Sequence, residues 1–199
     1  MNYAIIGFGG IGHALASAFA RSGIEVSIAT SRDPEAFAAD AAKVGRTVRP
    51  VTLDEAVKAD VVFLAVRFGS HQEIGKTLPN WEGKTVVDVT NAYGVPPEDL
   101  EGLPSSAFVG KAFPGARLVK GFNHLVAGVL EKDPAVAGGR RAVFLSSDDE
   151  QASQDVAALA QRLGFAPIQI GGLSEGGLLV QARGKTWGRL IFKDLINLD

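Results

Sequence analysis

The amino-acid sequence predicts an α/β fold, with a doubly wound and mostly parallel sheet of about eight strands in a single domain. The first observation is that short apolar runs alternate with amphipathic stretches over nearly all 199 residues. The second is the unbroken apolar run Val61–Val66, which is typical of a parallel strand buried on both faces. The third is that no repeat, low-complexity segment or charged linker divides residues 1–199, so one domain is expected.

The strand predictions rest on short runs that are rich in apolar and β-branched residues. Thr47–Val51 is the weakest of them, because it contains polar residues at Thr47 and Arg49. In chain order the expected strands are Met1–Ile6, Ile24–Ala29, Thr47–Val51, Val61–Val66, Thr85–Val89, Leu118–Phe122, Arg141–Leu145 and Ala166–Ile170.

The helix predictions rest on apolar residues that recur with the helical period and on residue types that are typical of helix ends. Asp33 precedes a proline as an expected N-cap, and Thr52 with Glu55 has the spacing of a capping box. Glycines follow several helices as stop signals, and the tail Gly176–Leu198 is mixed and is expected to end in a helix. The expected helices are Ile11–Ser22, Pro34–Val44, a short one from Thr52 to Ala59, Ser70–Leu78, Ser105–Phe113 and Asp149–Leu163.

Charge and composition argue against several classes of function. The net charge of −2 offers no electrostatic grip on nucleic acid or on an anionic membrane, so neither partner is expected. The chain has no cysteine, which removes disulfides, thiolate nucleophiles and cysteine metal sites and agrees with a cytoplasmic location. The spacing of His13, His71 and His124 matches no metal motif, so no metal site is expected.

A glycine-rich loop follows the first expected strand. The loop has the pattern G-x-G-x-x-G, it opens a helix and it lies at the first strand-to-helix turn, which is the context that makes the pattern specific. Such a helix offers free N–H groups to a pyrophosphate, so the loop predicts a Rossmann-type dinucleotide site. The residues expected to bind the cofactor here are Gly7, Phe8, Gly9, Gly10, Ile11 and Gly12.

The end of the second strand favours NADP(H) over NAD(H). An NAD-binding protein usually has an acidic residue there to accept from the ribose hydroxyls, whereas this strand ends in Thr30, Ser31 and Arg32. A guanidinium can grip a 2′-phosphate through charge-assisted hydrogen bonds, and the hydroxyls can add further bonds. Asp33 is the alternative acidic residue in a shifted register, although helix capping is the favoured interpretation.

Other candidate residues follow the later strands, because ligands of open α/β sheets lie beyond the carboxyl ends of the strands. Cofactor contacts are expected from Ala65, Val66, Arg67, Thr90 and Asn91. Asn123 and His124 are the candidates for positioning the acceptor, and His71 is a second histidine expected at the cleft. Asp88 stands inside an apolar strand and is interpreted as a buried structural group rather than a catalytic one.

Together these motifs resemble the NADPH-dependent reductases of the deazaflavin coenzyme F-420 and their dinucleotide-binding bacterial relatives. The same cofactor module occurs in the STEAP metalloreductases and, more distantly, in the pyrroline-5-carboxylate reductases. The segments that carry the resemblance are Ile5–Gly12, Thr30–Arg32, Val87–Asn91, Val119–Leu125 and Phe144–Asp149.

The resemblance implies one α/β domain that binds NADP along the glycine loop, with a flavin-like ring stacked on the nicotinamide. Val119–Leu125 is similar to the family's K-A-F-N-T-L segment, with Gly121 in place of Ala and His124 in place of Thr. The second substitution falls in the segment expected near the acceptor ring, so it leaves the identity of the acceptor open. The chain also lacks the long helical domain of the hydroxyacid dehydrogenases, which counts against that function.

Three functions are weighed. The first is hydride transfer between NADPH and a flavin or deazaflavin, a small-molecule acceptor for which positioning suffices without an acid–base pair. The second is reduction of a small imine or carbonyl, with His71 or His124 as the proton donor. The third is a non-enzymatic NADPH sensor. An apolar tail is compatible with a homodimer interface, although packing of the tail in the core is favoured. Its apolar residues are Trp187, Leu190, Ile191, Phe192 and Leu195.

Replacement of Arg32 by Ala tests the preference for NADP(H). We expect Arg32→Ala to weaken NADPH binding by about 1.5–3 kcal/mol, the contribution of a hydrogen bond to a charged group, and to leave NADH binding little changed. Titration calorimetry with both cofactors measures the two affinities. Equal losses for NADPH and NADH would contradict the assignment of Arg32 to the 2′-phosphate.

Overall fold

The computed structural model describes residues 1–182 and 194–195. The strands are β1 Tyr3–Ile6, β2 Val26–Ala29, β3 Val48–Pro50, β4 Val61–Leu64, β5 Thr85–Asp88, β6 Arg117–Gly121, β7 Ala135–Val136, β8 Gly139–Ser146, β9 Ala166–Gln169 and β10 Asp194–Leu195. The α-helices are α1 Gly10–Arg21, α2 Ala38–Val44, α3 Leu53–Ala56, α4 His71–Gly75, α5 Ser105–Ala112, α6 Ala127–Leu130, α7 Glu150–Arg162 and α8 Gly176–Leu179. Two 3₁₀ turns lie at Pro34–Phe37 and Pro97–Leu100.

The strands form one sheet in the order β10-β8-β6-β5-β4-β1-β2-β3, with β7 and β9 also paired to β8. The pairs from β3 to β6 are all parallel, and their order 3-2-1-4-5-6 is that of dinucleotide-binding folds. Strand β8 then runs antiparallel to β6 and parallel to β9. The predicted α/β class and mostly parallel sheet are confirmed, and the two additional strands β7 and β10 have two residues each.

The core lies on both faces of the sheet, which explains why the parallel strands are apolar throughout. In β1, Ile5 belongs to one buried cluster while Ala4 and Ile6 belong to the other. The first cluster contains a chain of edge-to-face rings whose centroids lie 5.8–5.9 Å apart, a geometry that aromatic pairs favour: Phe19, Phe63, Phe122 and Phe165. The second cluster is centred on Trp81 and Phe113, which lie 4.7 Å apart.

Several element boundaries differ from the prediction. The stretch expected as one helix Pro34–Val44 starts as a 3₁₀ turn, and Asp33 occupies the predicted N-cap position there without a side-chain capping bond. The capping box of Thr52 and Glu55 is confirmed, with both reciprocal bonds formed. Helix α4 is shorter than predicted, and α6 was not predicted. For the tail, α8 and β10 are described, whereas Trp187, Leu190, Ile191 and Phe192, expected at a core or an interface, lie outside the described residues.

Helix α1 approaches β1 and β4 so closely that side chains are excluded at the contact. Gly7 has φ = +106°, and a Cβ on it would collide with the carbonyl oxygen of Ala65. A Cβ on Gly12 would collide with the carbonyl oxygen of Gly7. The N-terminus of α1 is thereby held at the carboxyl edge of the central strands.

Within residues 1–182 and 194–195, no helix has the length and apolar character needed to cross a membrane. The described helices run from four to 13 residues, well short of the roughly 20 residues that a membrane span requires.

A substitution at Gly12 tests this close contact. We expect Gly12→Ala to lower the free energy of unfolding by about 1–3 kcal/mol, because the added methyl group must displace the backbone of Gly7 in the loop after β1. Urea denaturation measures the change. Gly128→Ala is the matched control, since no atom lies within 4 Å of the position that its Cβ would take. If both substitutions changed the free energy of unfolding by the same small amount, the contact at Gly12 would not be as close as described.

Candidate functional site

Two cavities meet along the carboxyl ends of the central strands. The first has a volume of about 570 Å³ and the second about 540 Å³. They share the lining residues Gly9, Ala65, Val66 and Arg67, so they form one elongated cleft beside the glycine loop. Ligand pockets of proteins have volumes of about 300–1,000 Å³, so the cleft has room for a large ligand.

The first cavity contains the residues expected to recognise a 2′-phosphate. Thr30, Ser31 and Arg32 line it, and Ser31 and Arg32 are exposed. The backbone N–H of Arg32 donates to Thr30 Oγ1 at 3.0 Å, which fixes the turn after β2. The Arg32 guanidinium lies 5.6 Å from the ring centre of Phe37, within the range of a cation–π contact. Asp33, the alternative acidic residue, lies outside the lining of this cavity.

The glycine loop forms the shared wall of the two cavities. Gly9 is the N-cap of α1, where no side chain makes a capping bond and no acidic residue occupies the first turn. The first N–H groups of a helix have no partner within the helix, and the positive end of its dipole favours an anion. A Cβ on Gly9 would meet no atom within 4 Å. The space over this loop is therefore open, and it adjoins N–H donors suited to a phosphate.

The second cavity extends from the glycine loop to the ends of β4 and β5. The predicted residues Gly10, Ile11, Thr90 and Asn91 line it together with Phe68, Val89 and Tyr93. Tyr93 is 56% exposed at this cleft and was missed as a site residue. Its signal in the sequence is an aromatic residue two positions beyond Asn91, at the start of the Gly/Pro-rich stretch 91–104.

A buried polar network lies under the second cavity. Lys120 Nζ contacts Asp88 Oδ2 at 3.1 Å and also donates to the carbonyl oxygen of Thr90. Asp88 Oδ1 accepts from the backbone N–H of Thr90 at 2.9 Å and from its hydroxyl at 2.6 Å. The interpretation of Asp88 as a buried structural group is therefore supported, and Lys120 is the partner that the sequence did not reveal.

The side chains of Asn91 and Asn123 bind each other. Asn91 Nδ2 donates to the carbonyl oxygen of Asn123 at 2.9 Å, and Asn123 Nδ2 donates to Asn91 Oδ1 at 3.0 Å and to the carbonyl oxygen of Val180 at 2.9 Å. Asn91 lines the second cavity, whereas Asn123 is buried and lies outside both linings. The bonds tie the turns after β5 and β6 together, and a direct role of Asn123 at an acceptor stays a prediction.

His124 lies in an apolar environment outside the linings of both cavities. It is 4% exposed, and its ring centre lies 4.8 Å from that of Phe144. Within residues 1–182 and 194–195, neither ring nitrogen has a hydrogen-bond partner. Burial lowers the pKa of His124 to about 4, although the backbone of Ala142 lies near enough to oppose part of the shift. The imidazole is therefore neutral at pH 7, and its predicted contact with an acceptor stays a prediction.

His71 also lies outside the linings of the two cavities. Its ring centre is 5.0 Å from that of Phe68, and Nδ1 accepts from the backbone N–H of Gly69 at 3.2 Å. Burial lowers the pKa of His71, while the negative charge of Asp88 opposes this effect. In the part of the chain that the structure describes, no group of three or more His, Asp or Glu side chains is arranged to hold a metal ion.

Comparison with protein families matches residues 2–92 to the model described as "NADP oxidoreductase coenzyme F420-dependent". The matched range contains the glycine loop, the turn after β2 and both edges of the cleft. Over these residues the chain is similar to this family. The prediction of an NADP-dependent oxidoreductase is confirmed at the level of the family, while the family match leaves the acceptor of this chain undetermined.

Among curated relatives, rat metalloreductase STEAP3 is 30% identical over 173 residues, which are 85% of this chain and 34% of that protein. Human metalloreductase STEAP2 is 32% identical over 124 residues, which are 61% of this chain and 24% of that protein. The chain thus spans about a third or less of the length of these relatives.

Solved structures are similar to this chain in fold. Hypothetical protein SMa0349 from Sinorhizobium meliloti is 40% identical with a TM-score of 0.91, and the match covers 99% of this chain and 96% of that one. A protein from Arthrobacter sp. FB24 described as an F420-dependent NADP-reductase is 28% identical with a TM-score of 0.69, covering 87% and 86%. An imine reductase from Myxococcus stipitatus, 19% identical with a TM-score of 0.61 and covering 86% and 55%, shares the fold alone.

The burial of neutral His124 predicts a pH dependence of stability. Because its pKa is about 4 in the folded chain and 6.5 in the unfolded chain, the unfolded chain binds the proton first as the pH falls. Stability is therefore lost between pH 6.5 and pH 4. Between pH 7 and pH 5 the loss from this group is about 2 kcal/mol, at 1.36 kcal/mol for each pKa unit.

Denaturant unfolding at pH 7 and pH 5 measures this loss for the wild type and for His124→Phe. The variant is expected to lose about 2 kcal/mol less than the wild type over the same interval, since it has no imidazole to protonate. Identical losses would show that His124 is not held in its neutral form by burial.

Proposed function

We propose that this chain binds NADP(H) along the cleft and transfers a hydride between the nicotinamide and a flavin-type or deazaflavin ring, a small-molecule electron acceptor. The observation that carries the proposal is the open space at Gly9. This space adjoins the free N–H groups of α1 and lies where the two cavities meet. A pyrophosphate placed there directs one half of a dinucleotide into each cavity.

The first cavity suits the adenosine half with its 2′-phosphate. Arg32 supplies a cation that stays charged at all relevant pH values, and the hydroxyls of Thr30 and Ser31 supply further bonds. Among the described residues that line this cavity there is no Asp, and the one acidic residue, Glu73, is engaged with Lys76 at 2.6 Å. These features support NADP(H) rather than NAD(H). The NADP oxidoreductase description of the family model agrees with this choice.

The second cavity suits the nicotinamide and a flat acceptor. Its apolar walls include Ile11, Val66 and Val89, and the exposed ring of Tyr93 stands at the cleft together with Phe68. Aromatic side chains offer stacking surfaces for a planar ring. When bound, NADPH supplies the hydride, so the role of the protein is to align the two rings and to exclude water.

Reduction of an imine or a carbonyl is the second candidate, but neither histidine predicted as its proton donor lines the cavity. Such a reduction needs a proton donor near the acceptor, whereas the rings of His71 and His124 lie outside the lining. A flavin-type ring takes up a hydride to give its reduced anion, so this transfer needs no dedicated proton donor. The shared fold with an imine reductase does not change this argument.

The test follows the absorbance of NADPH and NADH at 340 nm with purified protein and a panel of FMN, FAD, riboflavin, coenzyme F-420 and a cyclic imine. We expect NADPH to be oxidised by one of the isoalloxazine-type or deazaflavin acceptors and not by the imine. Turnover of the imine alone would replace the proposal by its alternative. Tight NADPH binding without turnover of any acceptor would favour a sensor.

Gly9→Ala links this activity to the glycine loop. The substitution should leave folding intact because its Cβ meets no atom of the protein, yet the methyl group occupies the space proposed for the pyrophosphate. We expect NADPH affinity to fall at least about tenfold, a loss of about 1.4 kcal/mol. Gly128→Ala serves as the control and should leave the affinity unchanged. Unaltered binding in Gly9→Ala would contradict the proposed placement of the cofactor.

A further inference from the structure

An ion pair lies buried beside the second cavity. Asp88 is the last residue of β5 and Lys120 is its register partner in the neighbouring parallel strand β6. The exposed fractions of the two residues are 0% and 1%, and Lys120 Nζ lies 3.1 Å from Asp88 Oδ2. Removing two charges from water is costly, and apolar residues of similar size often give equal or greater stability. The pair therefore needs an explanation other than stability of the core.

The bonds of this pair converge on Thr90, which lines the second cavity. Asp88 accepts from both the backbone N–H and the hydroxyl of Thr90, while Lys120 donates to the Thr90 carbonyl oxygen. Three polar groups of one residue are thus fixed by two charges. A network of charge-assisted bonds in a buried environment restricts its members more strongly than neutral bonds in water do.

Asn91, the next residue of the lining, is also restricted in position. The side chain of Asn91 is in turn bonded to Asn123 at the end of β6, so the turn after β5 is anchored at both ends. Because the two strands are hydrogen-bonded in register, the ion pair and the amide pair hold this turn against the same neighbour. The wall of the second cavity is a rigid element rather than a free loop.

We propose that Asp88 and Lys120 are positioning residues that hold Thr90 and Asn91 in place for the nicotinamide half of the cofactor. This inference rests on the proposed function, because it assumes NADP(H) in the cleft. The pair is neutral overall, so it fixes the turn without adding a net charge beside the nicotinamide, whose charge changes during hydride transfer. The adenosine half, held at Thr30–Arg32 after β2, does not depend on the pair.

The double variant Asp88→Asn/Lys120→Met tests the proposal. It removes both charges together and so avoids leaving an uncompensated ion in the core. Calorimetry measures the affinity for NADPH and for adenosine 2′,5′-bisphosphate, which contains only the adenosine half. We expect NADPH to bind at least about tenfold more weakly and the bisphosphate to change by less than about twofold. With an acceptor that the wild type reduces, kcat should fall by about 10²-fold, as for a small misplacement of the reacting ring.

Further variants separate positioning from folding. Asp88→Asn alone keeps the shape of the side chain and an acceptor for Thr90, and it should weaken NADPH about threefold without affecting the bisphosphate. It leaves Lys120 without its counter-charge, so if the double variant does not fold, Thr90→Val takes its place, because it keeps both charges and removes only the hydroxyl bond to Asp88. Trp81→Phe is the control, because it removes a buried hydrogen bond, from Trp81 Nε1 to the carbonyl oxygen of Gly75, at a side chain that lines neither cavity. It should lower stability and leave the ratio of the two affinities unchanged.

Several outcomes would overturn the inference. An unchanged ratio of affinities in the variants with altered charges, or an equal loss for both ligands, would reduce the ion pair to a structural role. If Trp81→Phe changed the ratio of the NADPH and bisphosphate affinities in the same way, general destabilisation would explain the effect of the charge variants. A wild-type protein that binds neither ligand would instead refute the proposed function, which distinguishes that failure from a failure of the positioning role.

Discussion

The structure of the cleft depends on one contact, the backbone-to-backbone approach of α1 to β1 and β4. The contact exists because Gly7 and Gly12 have no Cβ, and any side chain at these positions would enter the carbonyl groups of Ala65 or Gly7. Since interiors are close-packed, a helix at this distance has little freedom to shift. Its N-terminus is therefore fixed at the carboxyl edge of the sheet, where the strand order leaves a crevice.

The two halves of the cleft are built in different ways. The first half uses a short turn after β2 with exposed polar side chains, which suits recognition of a charged phosphate in contact with water. The second half stands on a buried network of two charges and two amides, which suits a ring that must be aligned for hydride transfer. The glycine loop joins them, so the affinity for the cofactor and the alignment of its reactive ring depend on separate sets of residues.

The local features of the fold could be predicted from the sequence, and the long-range pairings could not. Patterns that span only a few residues predict the alternation of strands and helices, the capping box at Thr52 and the helix α7. The antiparallel direction of β8 depends on pairing with β6, as in Lys120 with Ser146 and Gly121 with Leu145, and the two-residue strands β7 and β10 both pair with β8. Such pairings leave no period in the sequence.

The sequence by itself determined the class of fold, the glycine loop and the cation at Arg32, because each depends on local chemistry or on a short motif. Only the tertiary structure decided which polar residues face the cleft. It buried His71, Asn123 and His124 beside the linings, brought Tyr93 to the mouth of the second cavity and paired Lys120 with Asp88 across two strands. The reason is that the side a residue presents is set by packing between elements, whereas spacing along the chain fixes only the element on which it lies.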